Sequence, residues 1–426
     1  MAQSKIDPAT LSAFENAAAG HDGVLSDPSG ELVIKPCTTA EIAFYESANA
    51  EHGALAAYMP TFMGTLQLDA TASSAAAVDS ATAAAPAIPE AGAAAKDSVL
   101  GGSFGETGGM AGKMGGVDSK AAWQQQPQQQ AEEEEKEAAP GTAATLKPDD
   151  PGPMKGKKLD TETSIVLANA AAGFARPNIL DLKLGARLYD DDAAPAKRAR
   201  LDKVAAETTS SSLGFRVAGM RVWQGAPTPA QQGADAPRAT ATETDQFATL
   251  DRTSGYKTFN KLYGRAFSAD SVRDAFREFL VVRAAGVGPA AARKTTQRFL
   301  ADVKAVRAVL EREESRMYSA SLLFVYEGDA EAALELRDAA RKAEGDVQTA
   351  TSSGAKGWNE EDDDEVDVDV DDEDEDEPKL AVVKLIDFAH AAWTPGQGPD
   401  ENLLRGVRSI QKLLEEMEEE LAKEAE

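Results

Sequence analysis

The sequence predicts an α+β chain folded in two lobes and interrupted by two long stretches that do not fold. Three observations predict it. β-prone apolar runs lie early and in the middle of the 426 residues, while helical periodicity clusters after position 268. Residues 70–160 are rich in Ala, Gly, Gln and Pro, include QQQPQQQ followed by EEEEKE, and show no apolar period. Such composition buries too little surface to offset chain entropy. Residues 360–377 are acidic at fifteen of eighteen positions and supply over half of the net charge of −28.

The implied boundaries are the first part of an N-terminal lobe over 1–69, a low-complexity insertion over 70–160, and a strand with a hinge over 161–175. A C-terminal lobe follows over 176–345, then an acidic insertion over 346–379, and the C-terminal lobe resumes over 380–426.

The elements follow in order. Two strands flank the turn DPSG, where Pro28 and Gly30 favour reversal, and Leu32, Val33 and Ile34 are β-prone. Lys35 closes the second strand, and Thr38 or Thr39 caps a helix that carries Glu41. A strand lysine followed by a helical glutamate is one way to grip nucleotide phosphates, although a lysine at a strand end is more commonly a solvated one. TSIVLANA, residues 163–170, is another strand. In RPNILDLKLG, residues 176–185, Asp181 and Lys183 alternate with Leu180, Leu182 and Leu184, so the charges share one face of a strand and the leucines the other.

Pro195 opens a short helix that sets Lys197, Arg200 and Lys203 at helical spacing. That face suits phosphate, a solvated surface or a nuclear-import cluster formed by KRAR. FRVAGMRVW, residues 215–223, is β-rich. Helices are expected over SADSVRDAFREFLVVRAA and from Ala290 to about Arg316, a strand in 318–329, a helix over 330–344 and a strand over AVVKLIDFAH, residues 381–390. Asp387 ends that run as either a cation ligand or a structural hydrogen-bonding group. The final helix places Leu403, Val407, Ile410, Leu413 and Leu414 on one stripe that packs on the body.

Composition excludes several functions. The charge is concentrated in one run, a solvated tail or a dock for basic proteins, and nothing favours direct nucleic-acid binding. One cysteine, Cys37, excludes an internal disulfide, and His21, His52 and His390 are too scattered for a zinc cluster. No leader is visible, and no apolar run approaches the roughly 20 residues that span a bilayer, so no membrane is expected and residence is assigned to the nucleus and/or cytoplasm. GETGGMAGKM, residues 105–114, mimics a phosphate loop but carries Thr107 and Met114 where glycine and a hydroxyl belong. GVGPAA, residues 286–291, is read as a turn between helices, and no G-x-S-x-G elbow is present.

Pro177-x-x-x-Asp181-x-Lys183-x-Gly185, Ser321-Leu322-Leu323 and Ile386-Asp387-Phe388-Ala389-His390, following Lys35 in that order, resemble the signatures of the inositol polyphosphate kinase family. The short span from Gly185 to Gly214 is similar to the family's multikinase branch. The resemblance implies a two-lobed, protein-kinase-like and ATP-grasp-like fold, with ATP as co-substrate, Mg²⁺ as cofactor and inositol polyphosphates as acceptors. It implies that Lys35 holds the α- and β-phosphates, that Asp387 ligates Mg²⁺ and that Lys183 lies between the γ-phosphate and the inositol phosphates.

Asp181, by the same resemblance, orients the ribose or the attacking hydroxyl, or holds Lys183. Leu167 and Asn169 would line the adenine hinge, where Ala168 departs from the family's usual glutamate. Lys197, Arg200 and Lys203 would form a basic wall for the substrate, and His390 would touch a substrate phosphate. The alternatives are a hexakisphosphate kinase and an acidic-tract interaction protein with secondary catalysis.

Overall fold

The DPSG turn forms as its residues dictate. Asp27 accepts from the Leu32 amide at 2.8 Å and from the Ser29 amide at 3.2 Å, which closes the chain between β2 (Leu25–Ser26) and β3 (Leu32–Pro36). Thr38 then accepts from the Glu41 amide at 3.2 Å and caps α1 (Thr39–Glu51). A computed structural model describes residues 7–67, 161–226, 242–336 and 380–426, with positions 15, 17, 19–22, 162 and 245 excepted. The expected low-complexity insertion, the phosphate-loop mimic, His21 and the acidic run lie outside the described residues.

The first lobe is a five-stranded antiparallel sheet in the order β1-β2-β3-β5-β4, where β1 is Ser12–Ala13, β4 is Phe62–Gln67 and β5 is Thr163–Ala168. β5 lies inside the sheet between β3 and β4, and its Ser164, Ile165, Val166 and Leu167 are all buried. A continuous apolar run suits a strand covered on both faces. α1 continues into a short α2 (Gly53–Ala56) beside this sheet.

The second lobe is a seven-stranded antiparallel sheet in the order β13-β12-β6-β7-β10-β9-β8. β6 (Pro177–Leu184) is flanked by β12 (Ser321–Glu327) and β7 (Phe215–Trp223), and β13 (Ala381–Ile386) is an edge. The register sets Lys183 opposite Ser321 on one side and Arg216 on the other. A β7 bulge at the step from Asp181 to Leu182 brings Gly219 opposite Asp181. β8 (Thr242–Thr244), β9 (Ala248–Asp251) and β10 (Tyr256–Phe259) extend the sheet.

Helices α3 (Pro195–Ala206) and α4 (Thr209–Leu213) link β6 to β7, and α5 (Lys261–Arg265) and α6 (Arg273–Leu280) follow the sheet's far edge. α7 (Pro289–Leu310) packs along α8 (Glu401–Ala425). Their seam is made of Phe299, Val303, Val306 and Leu310 against Leu403, Val407, Ile410, Leu414, Met417 and Leu421, all buried. Each such side chain gains ~1.5–3 kcal/mol on burial. The rim pairs Arg293–Glu418 at 2.7 Å and Lys304–Glu415 at 3.2 Å are largely exposed and worth at most about 1 kcal/mol each, so the apolar stripe decides the contact.

α8 also approaches the start of β7 through two glycines: a Cβ on Gly406 would lie 2.3 Å from the Gly214 carbonyl, and Gly214 takes φ +74°.

Two expectations are corrected. The long helix ends at Leu310, not near Arg316. Ser315–Met317 instead forms β11, which pairs with β14 (Ala391–Trp393), because the Met317 amide finds Asp400 at 2.8 Å and Arg316 reaches the carbonyls of Gln397 and Gly398. The run AVVKLIDFAH stops being a strand at Ile386, since Asp387 takes φ +69°. GVGPAA is a turn between helices as expected, and the helix from 330 is described as far as 336.

Candidate active site

Lys35, last but one in β3, sits opposite Ile165 and reaches across the lobes. Its Nζ donates to Glu41 Oε1 at 2.9 Å and to Asp387 Oδ1 at 2.8 Å. Lys183 Nζ donates to Asp387 Oδ2 at 3.3 Å. Asp387 therefore bridges two lysines, one from each lobe. Burial alone would pull the Lys35 ammonium down, but the carboxylates of Asp387 and Glu41 outweigh it and hold the group well above the usual lysine range. The left-handed backbone at Asp387 costs about 1–2 kcal/mol and is the kind of strain that marks a functional residue.

A cavity of about 140 Å³ is lined from both sheets by Val33, Leu167, Ile179, Leu323 and Ile386, with Tyr45 from α1. Lys35, Asp181 and Asp387 supply its charged groups, the pattern of an apolar pocket with a few convergent polar side chains. Leu167, Ala168 and Asn169 also line it. The Asn169 side chain is spent on the hinge itself, donating to the Gly30 carbonyl at 2.7 Å and accepting from the Ala171 amide at 2.9 Å. Below the hinge, buried Glu327 accepts from the amides of Ala175, Arg176 and Asp329 at 2.6, 2.9 and 3.0 Å and fixes the entry to β6.

Asp181 is 6% exposed on the sheet face that also carries Lys183. Arg216 comes beside them from β7, donating to Ser210 Oγ at 3.1 Å. Burial pulls its guanidinium down to about 10, against the attraction of Asp181 and helped by Arg265, so it stays cationic at neutral pH. The loop after β6 is held by α8, whose Asn402 accepts from the Ala186 and Arg187 amides at 3.0 and 2.8 Å.

Of the basic helix, Lys197 approaches the histidine of the last motif: its Nζ lies 3.4 Å from His390 Nε2, and His390 Nδ1 lies 2.8 Å from Asp190. Arg200 is exposed, and Lys203 faces Glu207 at 3.7 Å on the solvent side. Sequence reasoning overlooked Arg216 and Glu327. The register that sets Arg216 opposite Lys183 leaves no local signal, whereas the glutamate directly after an apolar strand could have been noticed.

Among the described residues no three His, Cys, Asp or Glu side chains cluster as a metal cage. The Ser321 hydroxyl is buried without a hydrogen-bond partner, and its residue pairs with Ile386 next to Asp387. A hydroxyl and a carboxylate are hard oxygen donors of the kind a divalent cation takes together with nucleotide phosphates, so these residues fit such an ion.

A two-lobed fold, a strand lysine paired with a helical glutamate, and a strand-end aspartate beside a cavity define a phosphotransferase of kinase-like build. Residues 164–415 match the family model described as inositol polyphosphate kinase. The inositol polyphosphate multikinase of Saccharomyces cerevisiae is 30% identical over 93% of this chain and 96% of its own length. Human inositol hexakisphosphate kinase 1 is 30% identical over 60% of this chain, and the match spans 53% of that protein. The crystal structure of an inositol phosphate multikinase from S. cerevisiae in complex with ADP and Mn²⁺ aligns over 91% of this chain and 99% of that one, at 24% identity and a TM-score of 0.49. The chain belongs to the inositol polyphosphate kinase family.

Proposed function

We propose that this enzyme transfers the γ-phosphoryl group of ATP, as its Mg²⁺ complex, to soluble inositol tris- and tetrakisphosphates and carries them toward the pentakisphosphate. The observation that carries the reading is the convergence of Lys35 and Lys183 on Asp387 beside the cavity. Similarity along nearly the whole length of a multikinase, against half the length of a hexakisphosphate kinase, favours this branch.

Both substrates are polyanions, and two unit charges 5 Å apart repel by about 3 kcal/mol at an effective dielectric near 20. Lys183 offsets that repulsion between the γ-phosphate and the acceptor's phosphates. Lys35, held by Glu41, neutralises the nucleotide's other phosphates. Asp387 and Ser321 would hold the divalent ion, which when bound screens the transferring group. The acceptor oxygen forms the new bond to phosphorus as the bond to ADP breaks, and the acceptor's proton is lost; a loose transition state asks little of a base. Lys197 and His390 receive a substrate phosphate.

Purified protein with Mg-ATP and inositol trisphosphate, its products resolved by anion exchange beside a Lys183→Ala control, tests this. Tetrakis- and pentakisphosphate absent from the control are expected. Turnover of the hexakisphosphate alone would overturn the assignment in favour of a pyrophosphate-forming kinase.

A further inference from the structure

The residues packed along the Glu41 face of α1 belong to both lobes. Glu41, Phe44, Tyr45 and Ala48 are buried along α1, and their spacing of three and four residues sets them on one stripe, which runs on to His52 at the helix end. The stripe meets an aromatic column. Tyr45 meets Phe388 edge-on at 5.2 Å, Phe388 stacks on Phe44 at 5.1 Å, Phe44 stacks on Trp393 at 4.6 Å, and Trp393 stacks on His52 at 3.6 Å.

Two polar contacts pin the column at its outer end. Trp393 Nε1 donates to Ser47 Oγ at 2.7 Å, and His52 Nδ1 donates to Glu313 at 2.6 Å, since an ionised carboxylate only accepts. Phe388 and Trp393 flank the turn that begins at Asp387, and β14 is anchored to the body by β11. The helix that carries Glu41 and the turn that carries Asp387 are thus fastened to the same rings, and Lys35 is held between the two carboxylates.

We propose that Trp393, with His52 and Ser47, is a positioning clasp for the phosphoryl-transfer reaction, acting through α1 on the Glu41–Lys35–Asp387 triad. It rests on the kinase reading above. Trp393 need not touch substrate. Its contribution is to keep Glu41 within 2.9 Å of Lys35 so that the ammonium is aimed and not free to swing. Ser47 and His52 tie the indole to the helix from two directions, so the ring is oriented and not merely buried.

The test is a double-mutant cycle on the full chain, reading kcat and both KM values together with the melting temperature. Wild type must first show ATP-dependent turnover of inositol trisphosphate; its failure there would overturn the kinase reading itself. Given that activity, Trp393→Ala is expected to lower kcat about tenfold in the wild-type background, the scale of losing two aromatic stacks, and by less than about twofold when Glu41→Gln is already present.

Trp393→Phe, which keeps the stack on Phe44 and His52, should recover most of kcat. An equal loss in both backgrounds, or no loss at all, would overturn the clasp, because a merely structural tryptophan lowers the melting temperature without regard to Glu41. Should Trp393→Ala not fold, Ser47→Ala, which removes the indole's acceptor together with the hydroxyl's own bonds to the Ala43 and Phe44 carbonyls, is read in the same cycle. Its loss of kcat must again vanish beside Glu41→Gln, and additivity would refute the proposal.

Discussion

Asp387→Asn removes one charge while keeping shape, and asparagine tolerates the φ of +69° about as well as aspartate. The amide oxygen can accept from only one of the two lysines, and the amide nitrogen turns a donor toward the other. Each charge-assisted bond is worth ~1.5–3 kcal/mol, and removing one partner of a fully buried pair costs ~3–5 kcal/mol. The three side chains retain 14–17% exposure, so the lower part of that range applies and the expected destabilisation is about 2–4 kcal/mol.

For a folded body of this size that is a fall of about 5–15 °C in melting temperature, read by circular dichroism. Losing the carboxylate that aims two lysines and fits a divalent ion should lower kcat/KM by about a thousandfold in the anion-exchange assay. An Asn variant that melts at or above the wild-type temperature would refute the claim that the lysines depend on Asp387. One that keeps more than a tenth of the activity would refute its place in the chemistry.

Three further outcomes are expected. Lys197→Ala should raise the KM for the inositol phosphate about fivefold or more, whereas Lys203→Ala should leave it within about twofold, because Lys203 faces Glu207 in solvent and Lys197 faces His390; initial-rate kinetics distinguish them. Gly406→Ala would set a methyl group 2.3 Å from the Gly214 carbonyl and 3.0 Å from Leu184, and should cost about 2 kcal/mol or more in urea unfolding.

Burial, with Glu41 beside it, pushes the Cys37 thiol up to about 11, so the native protein should resist iodoacetamide at pH 8.5 and react once denatured. The sign for stability follows. Between about pH 9 and 11 the unfolded thiol loses its proton while the folded one keeps it, so this group lowers stability as pH rises through that window and contributes nothing below it.

Much of the fold was legible because it is written in local periods. The alternation in 176–185 and 215–223 located β6 and β7 to within a residue, and the apolar stripe from Leu403 to Leu414 located the inner face of α8. Pro195 and Thr38 marked helix starts by the chemistry of their own positions. The shared face of Asp181 and Lys183 needed only a two-residue repeat.

What no local pattern contained is pairing over distance. β4, β11 and β14 are short and gain their hydrogen bonds from partners far along the chain, and Ser315 and Arg316 read as helix until Ala391–Trp393 lies beside them. Lys35 meets Asp387 across 352 positions, and Arg216 stands opposite Lys183 only because the β6–β7 register sets it there. Sequence alone thus determined which residues carry charge at strand ends and which faces are apolar, since these depend on neighbours within a few residues. The tertiary structure decided which charges neutralise one another and what holds α1 in place, because Coulomb attraction and ring stacking act between atoms close in space whatever their separation along the chain.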